Sequence, residues 1–284
     1  MRLARYEDGV RKSFGIVTED GIIDLADRLG VPDLDTLIAE RQLDRAREHA
    51  GDSPDVHAYR LLKPLVRPSK CFCVSYNYLG YGPAPAAPSI RREPAGLFQR
   101  TPDSFVGTDE AILRPPESAE FDYEGELVLV IGRPGRRIPR ALAMDYVAGY
   151  MLANDGSVRD WTRHGGLNVI QGKNFWRSGS LGPWLTTRAA VGDGPFQLTT
   201  RVNGELRQQI STAEMLVPFD ELIAQVSTFT PLEAGDIILT GTPPGTGQSF
   251  DPPRWLGPGD IVEVEGSDLG VLRNTVADEG TPRG

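Results

Sequence analysis

The segment Asp122-Tyr123-Glu124-Gly125-Glu126 runs straight into Leu127-Val128-Leu129-Val130-Ile131. Side chains two apart on a strand share a face, so Glu124 and Glu126 project together at the head of an apolar run, and Asp122 shares their parity. Like charges this close to a core repel each other and lose solvation, which either protonation or a cation relieves. A strand whose first residues are still in water gives the same pattern. Asp155 follows the apolar stretch 146–153 and precedes Gly156-Ser157, so it sits where a buried strand ends. It serves there either as the N-cap of a following turn or as a third oxygen ligand. Two glutamates and an aspartate leave coordination positions for water and a bidentate substrate.

Lys173 is conspicuous by its identity. The chain has four lysines against 26 arginines, and after Lys70 it is the only lysine. Arginine stays charged, whereas a lysine in a partly dry pocket can trade a proton. Its surroundings, Gln171-Gly172-Lys173-Asn174-Phe175-Trp176, do not read as a solvated face. A glycine-rich stretch, Thr240-Gly241-Thr242-Pro243-Pro244-Gly245-Thr246-Gly247, leaves a predicted strand without the Gly-Lys-Ser/Thr ending of a nucleotide loop. It is either a plain turn or a set of amides and hydroxyls for a small anion.

Composition narrows the classes. A net charge of −9 disfavours nucleic acid as a partner, and no apolar run has the length of a membrane span or of a signal peptide. Cys71 and Cys73, the only cysteines, read as buried reduced thiols of a cytoplasmic protein. With only His49, His57 and His164 available, any metal is held mainly by oxygen, which favours magnesium, manganese or calcium.

Alternation through residues 2–6 and 13–17, with a turn at Glu19-Asp20-Gly21 before Ile22-Ile23-Asp24, predicts a small antiparallel sheet. Residues 33–50 predict one helix ending at Gly51. A boundary near residue 66 divides a small N-terminal α/β domain, 1–66, from a larger domain, 67–284. The latter opens on Cys71-Phe72-Cys73-Val74 and a proline-rich loop over 81–95. Strands are predicted at 126–131, 146–153, 196–202, 236–239, 260–265 and 269–273, with a helix at 218–227. The fold class is therefore α+β and β-rich, with a mixed sheet.

Taken together these stretches resemble the fumarylacetoacetate hydrolase family. The resemblance rests on Lys70-Cys71-Phe72-Cys73-Val74-Ser75-Tyr76-Asn77-Tyr78, residues 121–132, Gly149-Tyr150-Met151-Leu152-Ala153-Asn154-Asp155 through Arg159-Asp160-Trp161, Gly172-Lys173-Asn174-Phe175, Leu181-Gly182-Pro183-Trp184, Leu239-Thr240-Gly241-Thr242-Pro243 and Gly257-Pro258-Gly259-Asp260. It implies the family's mixed β-sheet roll, a homodimer, and Glu124, Glu126 and Asp155 as ligands of Mg2+ or Mn2+, with Ca2+ as an alternative. It also implies a small oxo-acid substrate, an acylpyruvate-type 2-oxo acid whose enolate the ion stabilises. Lys173, Tyr81 and Arg159 are the expected catalytic residues, and Phe98, Arg100, Gly241 and Thr242 the expected substrate-binding ones. Hydrolytic relatives place a histidine and a glutamate three residues apart after the Asn-Tyr pair to activate water; those positions read Tyr81 and Ala84 here, and the family's glutamine reads Thr162. Hydrolytic C–C cleavage is the default expectation. Isomerisation, tautomerisation or decarboxylation, which need no activated water, are the alternatives, along with a non-catalytic acid-binding relative.

Overall fold

The computed structural model describes residues 1–81, 94–165 and 168–280. Its centre is the strand Gly125–Ile131, buried along its whole length. Such a strand needs apolar partners on both faces, and its alternation supplies them. Val128 and Val130 join one core, with Cys71, Cys73, Met151, Ala153 and the N-terminal Leu34, Leu37 and Ile38. Leu127, Leu129 and Ile131 join another, with Tyr150, Leu152, Leu198, Val264 and residues of the helix Phe219–Phe229.

Around this strand runs an 11-stranded mixed sheet. Along its main path the order is Ile22–Asp24, Lys12–Val17, Arg2–Glu7, Gly179–Thr187, Val147–Asn154, Gly125–Ile131, Ile237–Leu239, Cys71–Ser75 and Gly96–Gln99. Most neighbours are antiparallel, but Ile237–Leu239 lies parallel to Cys71–Ser75. A five-stranded sheet, Glu205–Ser211, Gln197–Val202, Ile261–Gly266, Gly270–Asp278 and Ile112–Arg114, packs over the second core. A two-stranded pair joins Phe121–Asp122 to Ser157–Val158. This is the expected α+β, β-rich roll with a small α/β region at the N-terminus. The strand Arg2–Glu7 pairs with Gly179–Thr187, so the N-terminal segment extends the large sheet.

The helix expected over 33–50 is two helices, Leu34–Ala39 and Leu43–Glu48. Arg41 adopts φ 59° between them, and the break turns Leu43 and Ala46 back onto the first core. The nine-residue strand Gly179–Thr187 was not predicted, because Gly182-Pro183 within it reads as a turn.

Candidate active site

Glu124 stands between the strands Phe121–Asp122 and Gly125–Ile131, and Glu126 is the second residue of the latter. Asp155 follows the neighbouring strand Val147–Asn154. Its N–H donates to the Glu124 carbonyl at 2.8 Å, while the Glu124 N–H donates to Asn154 Oδ1 at 3.0 Å. The sheet register thus fixes both carboxylates. One oxygen from each of Glu124, Glu126 and Asp155 lies within 4.8 Å of the others, and all three residues are buried. Arg159 and Lys173 come from two short helices, Arg159–His164 and Ile170–Lys173. These helices touch closely: a Cβ at Gly172 would lie 2.5 Å from Thr162 N, so a side chain there would push the lysine-bearing turn away.

The Lys173 ammonium donates to Glu124 Oε2 at 2.8 Å, Asp155 Oδ2 at 2.5 Å and the Asp155 carbonyl at 3.2 Å. Arg100 Nη1 donates to Asp155 Oδ1 at 2.6 Å. Arg159 donates from Nε to Asp122 Oδ2 at 2.8 Å and pairs through Nη1 with Glu124 Oε1 at 2.7 Å. The Tyr81 hydroxyl donates to Glu124 Oε1 at 2.7 Å. Four buried carboxylates, Asp122, Glu124, Glu126 and Asp155, therefore meet three buried cations, Arg100, Arg159 and Lys173. Glu126 is the one left over: among the described residues it has no cationic partner, and it accepts a hydrogen bond from the Gly241 N–H at 2.7 Å.

The acidities diverge accordingly. Burial, with the charges of Asp155 and Glu124, pushes Glu126 well above the carboxylate range. Burial also opposes ionisation of Glu124, but Lys173 and Arg159 outweigh it and hold that carboxyl at about 2. Burial pulls the Lys173 ammonium down, yet Asp155 and Glu124 more than offset it, and its pKa lies above the ordinary lysine value. The Tyr81 phenol is raised well above its usual range by burial, against the pull of Arg159. An all-oxygen donor set in which one carboxyl, Glu126, has no ion-pair partner among the described residues suits a hard divalent ion.

A cavity of about 340 Å³ opens over this cluster, lined by Tyr81, Phe98, Arg159, Lys173, Thr242 and Gln248 among others, with Glu124 also on its wall. A larger crevice of about 680 Å³, between Arg41, Arg133 and Asp193, contains none of these residues. The Phe98 ring centroid lies 5.2 Å from Lys173 Nζ. Thr242 faces the cavity, but its hydroxyl donates to the Gly125 carbonyl at 2.9 Å and accepts from Gln208 Nε2 at 2.9 Å. Gly241 has φ 96°, and a Cβ there would lie 2.8 Å from Asn77 Cβ. Arg100, only 3% exposed, is absent from the cavity lining and braces Asp155 from the side. His164 is exposed, lies edge-on to Trp161 and does not line the cavity. Ala84 lies outside the described residues, as does most of the proline-rich loop.

Strand parity groups Asp122 with the two glutamates in the sequence, but its role there is to pair with Arg159 and to accept from the backbone N–H groups of Gly247 and Gln248 at 2.7 and 3.2 Å. One contributor escaped the sequence reading. Gln248 carries no local signal, since only the tertiary fold brings its loop to the cavity.

The family model described as fumarylacetoacetate (FAA) hydrolase C-terminal matches residues 70–277, and the chain belongs to that family. The mitochondrial oxaloacetate tautomerase Fahd2a of Rattus norvegicus is 40% identical over 216 residues, covering 76% of this chain and 68% of the relative. Among solved structures, a probable 2-hydroxyhepta-2,4-diene-1,7-dioate isomerase from Mycobacterium abscessus superposes with a TM-score of 0.82 at 35% identity, covering 99% of this chain and 100% of that one. A maleylpyruvate hydrolase from Sphingobium sp. SYK-6, in complex with manganese(II) and pyruvate, superposes at 0.81 with 28% identity over 99% of this chain and 100% of that one.

These comparisons correct two expectations. Hydrolytic C–C cleavage is overturned as the default, because most of the relatives at 35% identity or more are named tautomerases or isomerases. The physical reason is at Tyr81, a phenol held neutral and hydrogen-bonded to Glu124 where water activation needs a base. The cytoplasmic location is likewise overturned by the relatives from rat, cattle and human, which are mitochondrial by name. Among the described residues no helix is long and apolar enough to cross a membrane.

Proposed function

We propose that this chain is a metal-dependent tautomerase that interconverts the enol and keto forms of a small 2-oxo acid. The observation that carries this reading is a buried ammonium, Lys173, between two carboxylates beside a neutral tyrosine. That arrangement can move a proton to and from carbon without an activated water. Glu124, Glu126 and Asp155 would hold the ion, Mg2+ or Mn2+ with Ca2+ as a weaker alternative. When bound, the ion supplies positive charge to the carboxylate and adjacent oxygen of the substrate.

In the enol-to-keto direction Lys173 gives a proton to C3, the C=C electron pair forming the new C–H bond. The resulting amine takes the proton of the C2 hydroxyl as the carbonyl forms. Asp155 and Glu124 orient the lysine, with Arg100 bracing Asp155. Tyr81 and Arg159 hold Glu124 and face the same cavity. Phe98 walls the pocket next to the ammonium, Thr242 lines it, and Gly241 keeps the loop close to Glu126. The active unit is taken to be a homodimer, with residues 1–66 as an accessory domain ahead of the catalytic 67–284.

The test is to mix the Mg2+-loaded protein with enolic oxaloacetate in heavy-oxygen water and follow ultraviolet absorbance and product mass. Loss of enol absorbance without change in carbon skeleton, faster than with Mg2+ alone, is expected. Unchanged rates across oxaloacetate and acylpyruvates would overturn the reading.

A further inference from the structure

We infer that a crevice between the N-terminal strand Arg2–Glu7 and the turn Pro102–Ser104 is a binding site for a phosphate group, with Arg5, Lys12 and Lys63 as its charged contacts. It is separate from the catalytic cavity, since none of its lining residues lines the space over the acid cluster. Its volume is about 290 Å³, near the lower end of small-molecule sites at about 300 to 1,000 Å³. The walls carry four cations, Arg5, Lys12, Lys63 and Arg177, and two acids, Asp103 and Glu110. Arg177 and Glu110 pair with each other at 3.1 Å, which leaves Asp103 facing three cations.

Two of those cations are fixed by neutral acceptors. Arg5 Nη1 donates to the Lys63 carbonyl at 2.9 Å, and Lys63 Nζ donates to the carbonyls of Pro102 and Phe105 at 2.6 and 3.1 Å. Among the described residues neither side chain, nor that of Lys12, forms an ion pair. Burial pulls Arg5 and Lys63 below their ordinary values, and the carboxylates in range, Asp35 and Asp33 for the arginine and Asp103 for the lysine, do not restore them. A desolvated positive charge is costly unless it is paired, so both are positioned and short of an anion. The excess of two positive charges suits a phosphate, which carries about −1.5 to −2 near neutral pH and three acceptor oxygens. A single carboxylate would leave one charge unmet. Val66, Val106 and the half-exposed Trp176 also face the crevice and can cover the carbon part of a phosphate ester. The turn that Lys63 holds is shared with the catalytic site, because Ser104 Oγ accepts from Arg100 Nε at 3.0 Å.

Inorganic phosphate and glycerol 3-phosphate, titrated by calorimetry into the Mg2+-loaded full chain at constant ionic strength, test the site. Arg5→Gln, which keeps a donor for the Lys63 carbonyl, should weaken binding by at least about 10-fold. Lys12→Gln removes only an exposed charge and should weaken it by about 2- to 5-fold; it carries the test should the Arg5 variant unfold. Tighter binding of the ester points to a phosphorylated metabolite and equal binding to free phosphate, and either sustains the site when it depends on these cations. Because phosphate also has affinity for a bound divalent ion, Glu126→Gln is the control, and it should leave phosphate binding intact. Loss of phosphate binding in Glu126→Gln, undiminished binding in the folded Arg5 and Lys12 variants, or a wild type that binds neither probe overturns the site. None of these outcomes bears on enol–keto conversion, so the tautomerase reading stands or falls separately.

Discussion

Arg100 and Asp155 pair with both side chains fully out of solvent, whereas Arg28 and Asp55 make the same kind of pair with 28% and 42% of their side chains exposed. The chemistry of the two contacts is alike and their surroundings are not. At the N-terminal segment, Arg28, Asp55 and Asp52 sit in water, which screens them and leaves each pair worth about 0.2–1 kcal/mol. At the cleft the charged side chains are buried, so each charge depends on its partners and a missing partner becomes chemistry. Glu126, which among the described residues accepts from the Gly241 N–H and has no cationic partner, is the result.

The contrast is broken most severely at Lys173. Lys173→Met should lower kcat for enol–keto conversion by about 10² to 10⁴. Lys173→Arg should fail to restore it, because arginine keeps the charge but does not release the proton; recovery of wild-type kcat by arginine would reduce the residue to an electrostatic prop. Next is Arg100→Met, which strands Asp155 beside Lys173 alone. A loss of about 3–5 kcal/mol in denaturant unfolding is expected, against less than 1 kcal/mol for Arg28→Met. Equal losses would erase the distinction between the two regions.

Asp122→Asn tests the intermediate case. It keeps the side-chain shape but removes the charge that positions Arg159 and the Gly247–Ser249 turn. A fall in kcat/KM of about 10-fold is expected, with metal affinity unchanged by calorimetry; a loss of metal binding would instead make Asp122 part of the ion site. The smallest effect is at Asp55, whose carboxyl lies below the ordinary aspartate value chiefly because Arg28 donates to it. A lowered folded pKa gives stability that is complete above the unfolded value and is lost as pH falls through the folded one. Asp55→Asn should therefore cost little near neutral pH and flatten the acid limb of the stability curve between about pH 5 and 3. An unchanged acid limb would show that the pair contributes nothing.

How far the sequence reaches follows from the same physics. Strand parity brought Glu124 and Glu126 together, and the end of an apolar run placed Asp155 at the turn beside them. Both are local signals, and both lead to the observed cluster. Arg100 shows the limit. The sequence offers it as a substrate-binding residue, whereas the fold turns it inward against Phe105 and onto Asp155, a choice made by contacts 55 residues away in the chain. Gln248 lies in a loop with no periodicity, and its approach to Tyr81 spans 167 residues. Likewise the strand Gly179–Thr187 carries Gly182-Pro183, and only its pairing with Arg2–Glu7 and Val147–Asn154 overrides the local turn preference.

The central claim is that Glu124, Glu126 and Asp155 form one site for a divalent ion. Titrating Mn2+ into metal-free protein and into Glu126→Gln, with calorimetric detection, tests it most directly. One ion per chain in the wild type, with binding lost or weakened by at least about 10-fold in the variant, is the predicted result. Undiminished Mn2+ binding by a folded Glu126→Gln protein would contradict it.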